Sequence, residues 1–266
     1  MSEDVTEVDA SKAPLMDHLI ELRRRLLWCI AALVVGFGLA FSQSQRIFDF
    51  LVQPLAAAFG PGAGGKLIYT KLYEAFFVDI KVSLFAAFVL AFPVIANQLW
   101  AFVAPGLYKR EKRAFLPFLI ATPVLFTMGA ALAYYVVMPT AFRFFLGFQH
   151  NGGTSGLAQE ALPAMGDYLA LVMQFIIAFG VAFLLPVLLM LLERAGIVTR
   201  GQLIQGRRYA IVGAFVVGAV LAPPDLWSQI ALAVPLCILY EVSIIGIWLT
   251  ERRRAREAVQ LPAAAE

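Results

Sequence analysis

Charge is what this 266-residue sequence has least of: Asp, Glu, Lys and Arg make up 15% of it, against 61% hydrophobic residues, and the mean hydropathy is +0.79. A soluble domain carries about a quarter charged residues, so a water-facing globular fold is excluded and lipid is the relevant solvent. The net charge of +3 is too small, and the basic residues too scattered, for a nucleic-acid footprint. Cysteine is nearly absent. Cys29 and Cys237 each lie in an apolar run, with no CxxC spacing, which excludes a disulfide framework and a thiolate metal site. Histidine is as rare, limited to His18 and His150, with no HExxH and no pair of intramembrane aspartates. No metal, no cofactor and no catalytic set is therefore expected, and the chain is not read as an enzyme. Glu3, Asp4, Glu7 and Asp9 stand where a secretory signal would be basic. The first apolar segment is expected to remain as an anchor.

What is abundant is long uncharged runs. Leu26 to Gln45, Val82 to Tyr108, Ala114 to Phe142 and Tyr168 to Leu192 contain no Asp, Glu, Lys or Arg, and each meets the roughly 20 residues needed to cross hydrocarbon. Tyr209 to Pro224 and Leu226 to Tyr240 are shorter, and only the second extends, past Glu241 to Thr250. This pair reads as a short helical hairpin turning at Pro223, Pro224 and Asp225. No run alternates with period two, and unpaired backbone in lipid costs several kcal/mol per group, so helices remain. Pro93, Pro117, Pro123, Pro186 and Pro235 lie inside the runs and predict kinks. The fold class expected is all-α: a polytopic membrane protein with six transmembrane helices in a kinked bundle.

Orientation follows from the basic residues. With the N-terminus in the cytoplasm, sixteen of the 21 lysines and arginines fall on that side, in the clusters Lys12 to Arg25, Lys109 to Arg113, Arg194 to Arg208 and Arg252 to Arg256. Arg46, Lys66, Lys71, Lys81 and Arg143 fall on the other. This positive-inside asymmetry predicts both termini cytoplasmic. The expected organisation is a tail over 1–25 with an amphipathic helix, a six-span membrane domain over 26–250, and a cytoplasmic C-terminal tail over 251–266. In Pro14 to Arg25, leucines 15, 19, 22 and 26 recur at helical spacing among Asp17, His18, Glu21 and Arg25, as in a helix lying on the inner surface. The two outer segments, about Ser42 to Ala75 and Pro139 to Asp167, are expected to be partly helical caps with Gly-rich tips.

Three short motifs do not carry chemistry. Gly60 to Lys66 imitates a phosphate-binding loop, but Leu67 replaces the residue that would hold Mg²⁺ and no strand precedes it. Gly153-Thr154-Ser155-Gly156 has the form of a serine-protease turn without a fixed base to activate the hydroxyl. Arg23-Arg24-Arg25-Leu26-Leu27 followed by an apolar run imitates a twin-arginine export signal; as the first of six spans it reads as a positive-inside anchor.

A solute carrier ligates its substrate with charges or unwound backbone at mid-membrane, whereas the polar residues within these spans are Asn97, Gln98, Gln174 and Glu241. Glu21 and Glu111 stand out instead, as acids among bases on the expected inner face. Two readings stay open. Glu21 can neutralise Arg25 one turn on, and Glu111 its basic neighbours; or the two form an anionic pocket for an incoming cation.

Three separate stretches carry a family resemblance: His18-Leu19-Ile20-Glu21-Leu22-Arg23; Trp100-Ala101-Phe102-Val103-Ala104-Pro105-Gly106-Leu107-Tyr108-Lys109-Arg110-Glu111; and Gly213 to Gly218 with Pro223-Pro224-Asp225 and Ser228-Gln229. In order and spacing, from about residue 14 to 250, the chain resembles the TatC family. The resemblance implies the core receptor subunit of the twin-arginine translocase, which exports folded proteins across the bacterial inner membrane using the proton-motive force. The implied partners are twin-arginine signal peptides, single-span TatA and TatB proteins and other TatC copies. Glu21 and Glu111 match the positions that bind the signal's arginine pair. Arg23, Phe102, Pro105 and Tyr108 match other sensitive positions on that side, and Pro54 and Asp225 match outer ones. The fifth span, with Gly213, Phe215 and Val217, matches the partner-helix docking region, and Gln174 and Leu184 of the fourth span are further candidates there. The chain departs from the family pattern Phe-Gly-x-x-Phe-Glu-x-Pro by reading Phe179-Gly180-Val181-Ala182-Phe183-Leu184-Leu185-Pro186, so the intramembrane glutamate is absent. The alternative reading, from a different class, is a secondary transporter of small solutes.

Overall fold

A chain so short of charge must satisfy its backbone hydrogen bonds internally, and the computed structural model, which describes residues 3–60, 65–107, 116–149, 160–221 and 226–260, does so with helices. They are α1 (Glu3–Ser42), α2 (Ser44–Phe59), α3 (Glu74–Leu107), α4 (Leu116–Leu132), a π-helical turn (Ala133–Val137), α5 (Met138–Leu146), α6 (Met165–Ala182), α7 (Leu185–Arg194), α8 (Arg200–Gln205), α9 (Arg207–Leu221) and α10 (Leu226–Gln260). The described residues contain no strand, only an isolated bridge between Ile68 and Ala164.

Among the described residues, five stretches are long and apolar enough to cross a bilayer: His18–Ser42, Glu74–Phe102, Phe118–Leu146, Met165–Arg194 and Ser228–Arg252. They overlap the four long uncharged runs and the extended run to Thr250. The remaining run falls in α9, whose 15 residues make about 22 Å of helix against roughly 30 Å of hydrocarbon. The amphipathic stretch Pro14 to Arg25 is helical but not a separate element. Residues 15–35 contain neither Gly nor Pro, so nothing stops the helix, and α1 runs from Glu3 to Ser42 in one piece. Likewise α10 continues through residue 250 to Gln260.

The helices form two compact units. The first joins residues 1–48 and 79–123, where α1 packs along α3 through small residues. A Cβ at Gly36 would come within 3.1 Å of the Ala87 carbonyl oxygen, and Ala87 and Ala91 are buried; close backbone approach of this kind is how membrane helices gain packing. The Trp100 indole N–H donates to Thr122 Oγ1 at 2.8 Å, and that hydroxyl donates to the Phe118 carbonyl at 2.7 Å, tying α3 to α4.

The second unit joins residues 49–78 and 124–266. Its centre is a reciprocal crossing of α4 and α6. A methyl group at Gly129 would run into the Phe179 carbonyl, and one at Gly180 into the Phe126 ring; Phe126, Phe175 and Phe179 are wholly buried around it. The prolines act unequally. Pro186 lies at the start of α7, and the fourth span is interrupted just before it, at Phe183 and Leu184. Pro117 falls in the first turn of α4, where no N–H is needed, and the helices run on through Pro93, Pro123 and Pro235. Pro139 was not among the predicted kinks, yet the π-turn precedes it. Pro139 has no N–H to offer one turn back, and the Met138 N–H reaches five residues back, to Ala133. The buried hydroxyls of Ser83, Thr122 and Ser243 bond within their own helices, Ser243 to the Leu239 carbonyl at 2.6 Å for instance. Helices α7, α8 and α10 close around Leu203, Ile244 and Ile247, with Leu189, Met190 and Tyr240 against them.

Candidate functional site

At the charged end of the first unit, His18, Glu21 and Arg25 share one face of α1 by their spacing of three and four residues. On α3, Gln98 and Phe102 are one turn apart. The Arg25 guanidinium donates from Nε and Nη2 to Glu21 Oε1, at 3.0 and 2.5 Å, and from Nη1 to Gln98 Oε1 at 3.4 Å. Both carboxylate contacts fall on Oε1, so Arg25 makes no use of Oε2. The His18 ring stacks on Phe102 with centroids 4.3 Å apart. The Glu21 side chain is 35% exposed and that of Arg25 23%, which leaves the carboxylate within reach of solvent or a ligand. One turn further along α1 an apolar groove of about 480 Å³ opens between α1 and α3, lined by Trp28, Ala32, Gly36, Leu90, Ala91 and Val94 among others.

Of the residues singled out in the sequence, Glu21 and Phe102 are thus brought to one junction, and Arg23 projects exposed beside it. Pro105 lies in the last turns of α3, its side chain outside the described residues; Tyr108, Glu111 and Asp225 fall outside them altogether. Arg25 and Gln98 complete the junction. The i,i+4 spacing already pointed to Arg25, whereas nothing in the sequence tied Gln98 to α1.

In the second unit Pro54 is buried within α2. A proline leaves the carbonyl four residues back without its donor, here that of Phe50, and the Tyr134 hydroxyl supplies one. The Tyr168 hydroxyl donates to the next carbonyl, Leu51, at 2.8 Å. Glu74 works nearby: its Oε2 accepts from the Thr70 N–H at 3.0 Å and its Oε1 from the Gly166 N–H at 3.1 Å. Paired backbone bonds, Ile68 N–H to Pro163 and Met165 N–H to Ile68, join the same two segments. Glu74, Tyr134 and Tyr168 were not foreseen; the carbonyl left free by Pro54 was the one available signal.

Helix α9 is buried along a narrow stripe, Ala214 and Gly218, the latter against Gln229 of α10. Gln229 Nε2 donates to the Phe215 carbonyl at 3.2 Å. Phe215 and Val217 are exposed, and a Cβ at Gly213 would meet nothing within 4 Å. Gln174 also faces outward, and Leu184 is half-buried at the interruption before Pro186. Glu241, the acid in the last span, pairs with Arg207 at 2.8 Å, and Glu251 with Arg200 at 3.0 Å, so α8 and α9 are fastened to α10.

The model of the Sec-independent protein translocase protein family (TatC) matches residues 17–235. Among relatives, the chain is 53% identical to the Sec-independent protein translocase protein TatC of Magnetococcus marinus, covering 92% of this chain and 88% of that one. It is 42% identical to the protein of the same description in Aquifex aeolicus, over 91% and 97%, and 41% identical to that of Escherichia coli, over 87% and 86%. A crystal structure described as the twin arginine translocase receptor TatC in DDM superposes with a TM-score of 0.73 at 41% identity, over 86% of this chain and 98% of that one. Apolar helices long enough to span a bilayer, and a family-model match taking in the α1–α3 junction and reaching the start of α10, converge on one conclusion: this multi-pass membrane protein belongs to the TatC family of Sec-independent protein translocases.

Proposed function

We infer that the chain is the receptor that recognises twin-arginine signal peptides and scaffolds the single-span TatA and TatB proteins for export of folded cargo, driven by the proton-motive force. The observation that carries the reading is the Glu21 carboxylate, partly exposed and accepting a guanidinium in the structure itself. A carboxylate takes charge-assisted hydrogen bonds from an arginine in a geometry that the point charge of a lysine does not reproduce. Phe102 and His18 border it, and Arg23, Pro105, Tyr108 and Glu111 belong to the same patch in this reading. The apolar stretch that follows the charged end of an export signal, about 7–15 residues, lies along the α1–α3 groove. That groove begins one turn past Arg25 and follows α1 from Trp28 to Leu39, about 16 Å of helix, a match in length to such a stretch.

In this reading the chain sits in the bacterial inner membrane with both termini cytoplasmic, and α9 makes a sixth, short crossing. The exposed Phe215 and Val217 on α9, with open space beside Gly213, support partner-helix docking there, and Pro54 and Asp225 serve the outer side. The solute-transporter alternative draws no support from the described residues, whose buried polar side chains are Ser83, Thr122, Ser228 and Ser243. The test is the affinity of a twin-arginine signal peptide for the native protein, Glu21→Ala, Glu111→Ala and the double variant, with folding verified in each. Loss of a desolvated charge partner lowers binding by about 2–5 kcal/mol, less at a wet site. Native affinity in all three variants would sink the assignment.

A further inference from the structure

The carboxylate offered to a signal's arginine is already holding one. Arg25 reaches Glu21 Oε1 through two N–H groups, and its third contact, to Gln98 Oε1, fastens the guanidinium to the neighbouring helix. An incoming cation that takes Oε1 therefore exchanges with Arg25 rather than entering an empty position. The segment carrying this arginine has the layout of an export signal: the basic run Arg23-Arg24-Arg25, then Leu26, Leu27 and an apolar stretch.

We propose that Arg25 is an internal stand-in for the signal arginine, an intramolecular competitor that keeps Glu21 closed to weak cationic ligands and releases it to a peptide carrying paired arginines ahead of an apolar segment. The proposal rests on the reading of Glu21 as a signal-binding residue. Exchange of one guanidinium for another restores the same charge-assisted contacts on Oε1, so a paired-arginine peptide loses little by displacing Arg25. A lysine peptide must break the same contacts and returns a point charge without the fork. Competition subtracts a similar amount from both ligands; its effect is to push the weaker one below useful occupancy. Gln98 holds Arg25 from α3 and makes the closed arrangement the resting one.

The experiment measures binding of two synthetic signal peptides, identical except for Arg-Arg or Lys-Lys, to the full chain in detergent. The variants are Arg25→Gln, Arg25→Lys and Arg24→Gln, each also in a Glu21→Ala background. Arg24 is exposed and controls for removal of a nearby positive charge; Arg25→Lys keeps the charge and loses the converging N–H pair. Removing a partly exposed pair corresponds to about a two- to fivefold change in affinity. Both Arg25 variants are expected to bind both peptides that much more tightly than the native chain. Arg25→Gln should gain more than Arg24→Gln, and the gain should vanish when Glu21 is Ala. If Glu21→Ala abolishes binding while both Arg25 variants bind no better than native, the stand-in is wrong and the receptor reading survives. If Glu21→Ala binds as the native chain does, both fall. Because Arg25→Lys is conservative, loss of folding in Arg25→Gln leaves a decisive measurement.

Discussion

Tyr134 holds Phe50 in two ways: its ring stacks on the Phe50 ring with centroids 4.4 Å apart and planes 7° from parallel, and its hydroxyl donates to the Phe50 carbonyl at 2.5 Å. That carbonyl is the one Pro54 deprives of a backbone donor. Tyr134→Phe keeps the stack and removes the substitute donor, and should destabilise the fold by about 1–2 kcal/mol. Pro54→Ala returns an N–H to α2, so the tyrosine substitution should be less damaging in that background. Unfolding of the four proteins in detergent reads the coupling; strict additivity would show that Tyr134 does not replace the missing donor.

Glu74 joins residues 65–73 to 160–166 through one oxygen for each segment. Glu74→Ala should speed amide exchange at both Thr70 and Gly166. A Cβ at Gly166 would lie 2.9 Å from Glu74 Oε1, the end of a flexible side chain that can move aside, so Gly166→Ala should loosen its own segment and leave Thr70 protected. Native exchange rates in Glu74→Ala would assign the joining of these segments to the Ile68 backbone bonds alone.

The length of α9 is open to direct manipulation. Four leucines inserted after Val216 add about 6 Å and bring the helix close to the hydrocarbon thickness. If a short crossing thins the bilayer for cargo, the insertion should impair export while signal-peptide affinity stays native. Export at the native rate would remove thinning as part of the mechanism.

Gln174, Ile177, Val181, Leu184 and Leu188 recur every three or four residues along the fourth span, and all but the half-buried Leu184 are exposed. Leu184→Glu, placed on this stripe where the family pattern has an acid, should strengthen cross-linking to single-span partners by the equivalent of about 1–2 kcal/mol. A fall in both cross-linking and activity would shift the polar contact to Gln174, to be tested by Gln174→Leu.

The spans were legible because a charge in hydrocarbon is costly, so the acids and bases themselves mark where lipid ends. The Glu21–Arg25 pair was legible from one helical turn, as was the interruption ahead of Pro186. The contacts completing the junction were not: Arg25 and Gln98 are 73 residues apart, and no periodicity on α1 says which residue of α3 it meets. The same holds for Tyr168 and Leu51, separated by 117 residues, and for Glu241, whose partner lies 34 residues upstream. The π-turn escaped because Pro139 reads as a boundary, while the helix absorbs it by lengthening a hydrogen-bonded loop. The continuity of α1 escaped because amphipathic and apolar stretches differ in composition but not in backbone preference.

The reciprocal glycine crossing of α4 and α6 has a mechanical consequence. With the Phe179 backbone carbonyl against Gly129 and the Phe126 ring against Gly180, neither helix can slide past the other without driving a carbonyl or a ring out of a place that admits only hydrogen. The two irregular points of these spans, the π-turn from Ala133 and the interruption at Phe183 and Leu184, each follow the crossing by about one turn. Because Tyr134, late in its span, and Tyr168, early in its own, both reach α2, the spans run in opposite directions, and the irregular points lie on opposite sides of the crossing. The pair is built like a riveted joint with one irregular point on each side: the rivet fixes the register of the two spans, and any bending of either is left to the π-turn and to the break before Pro186.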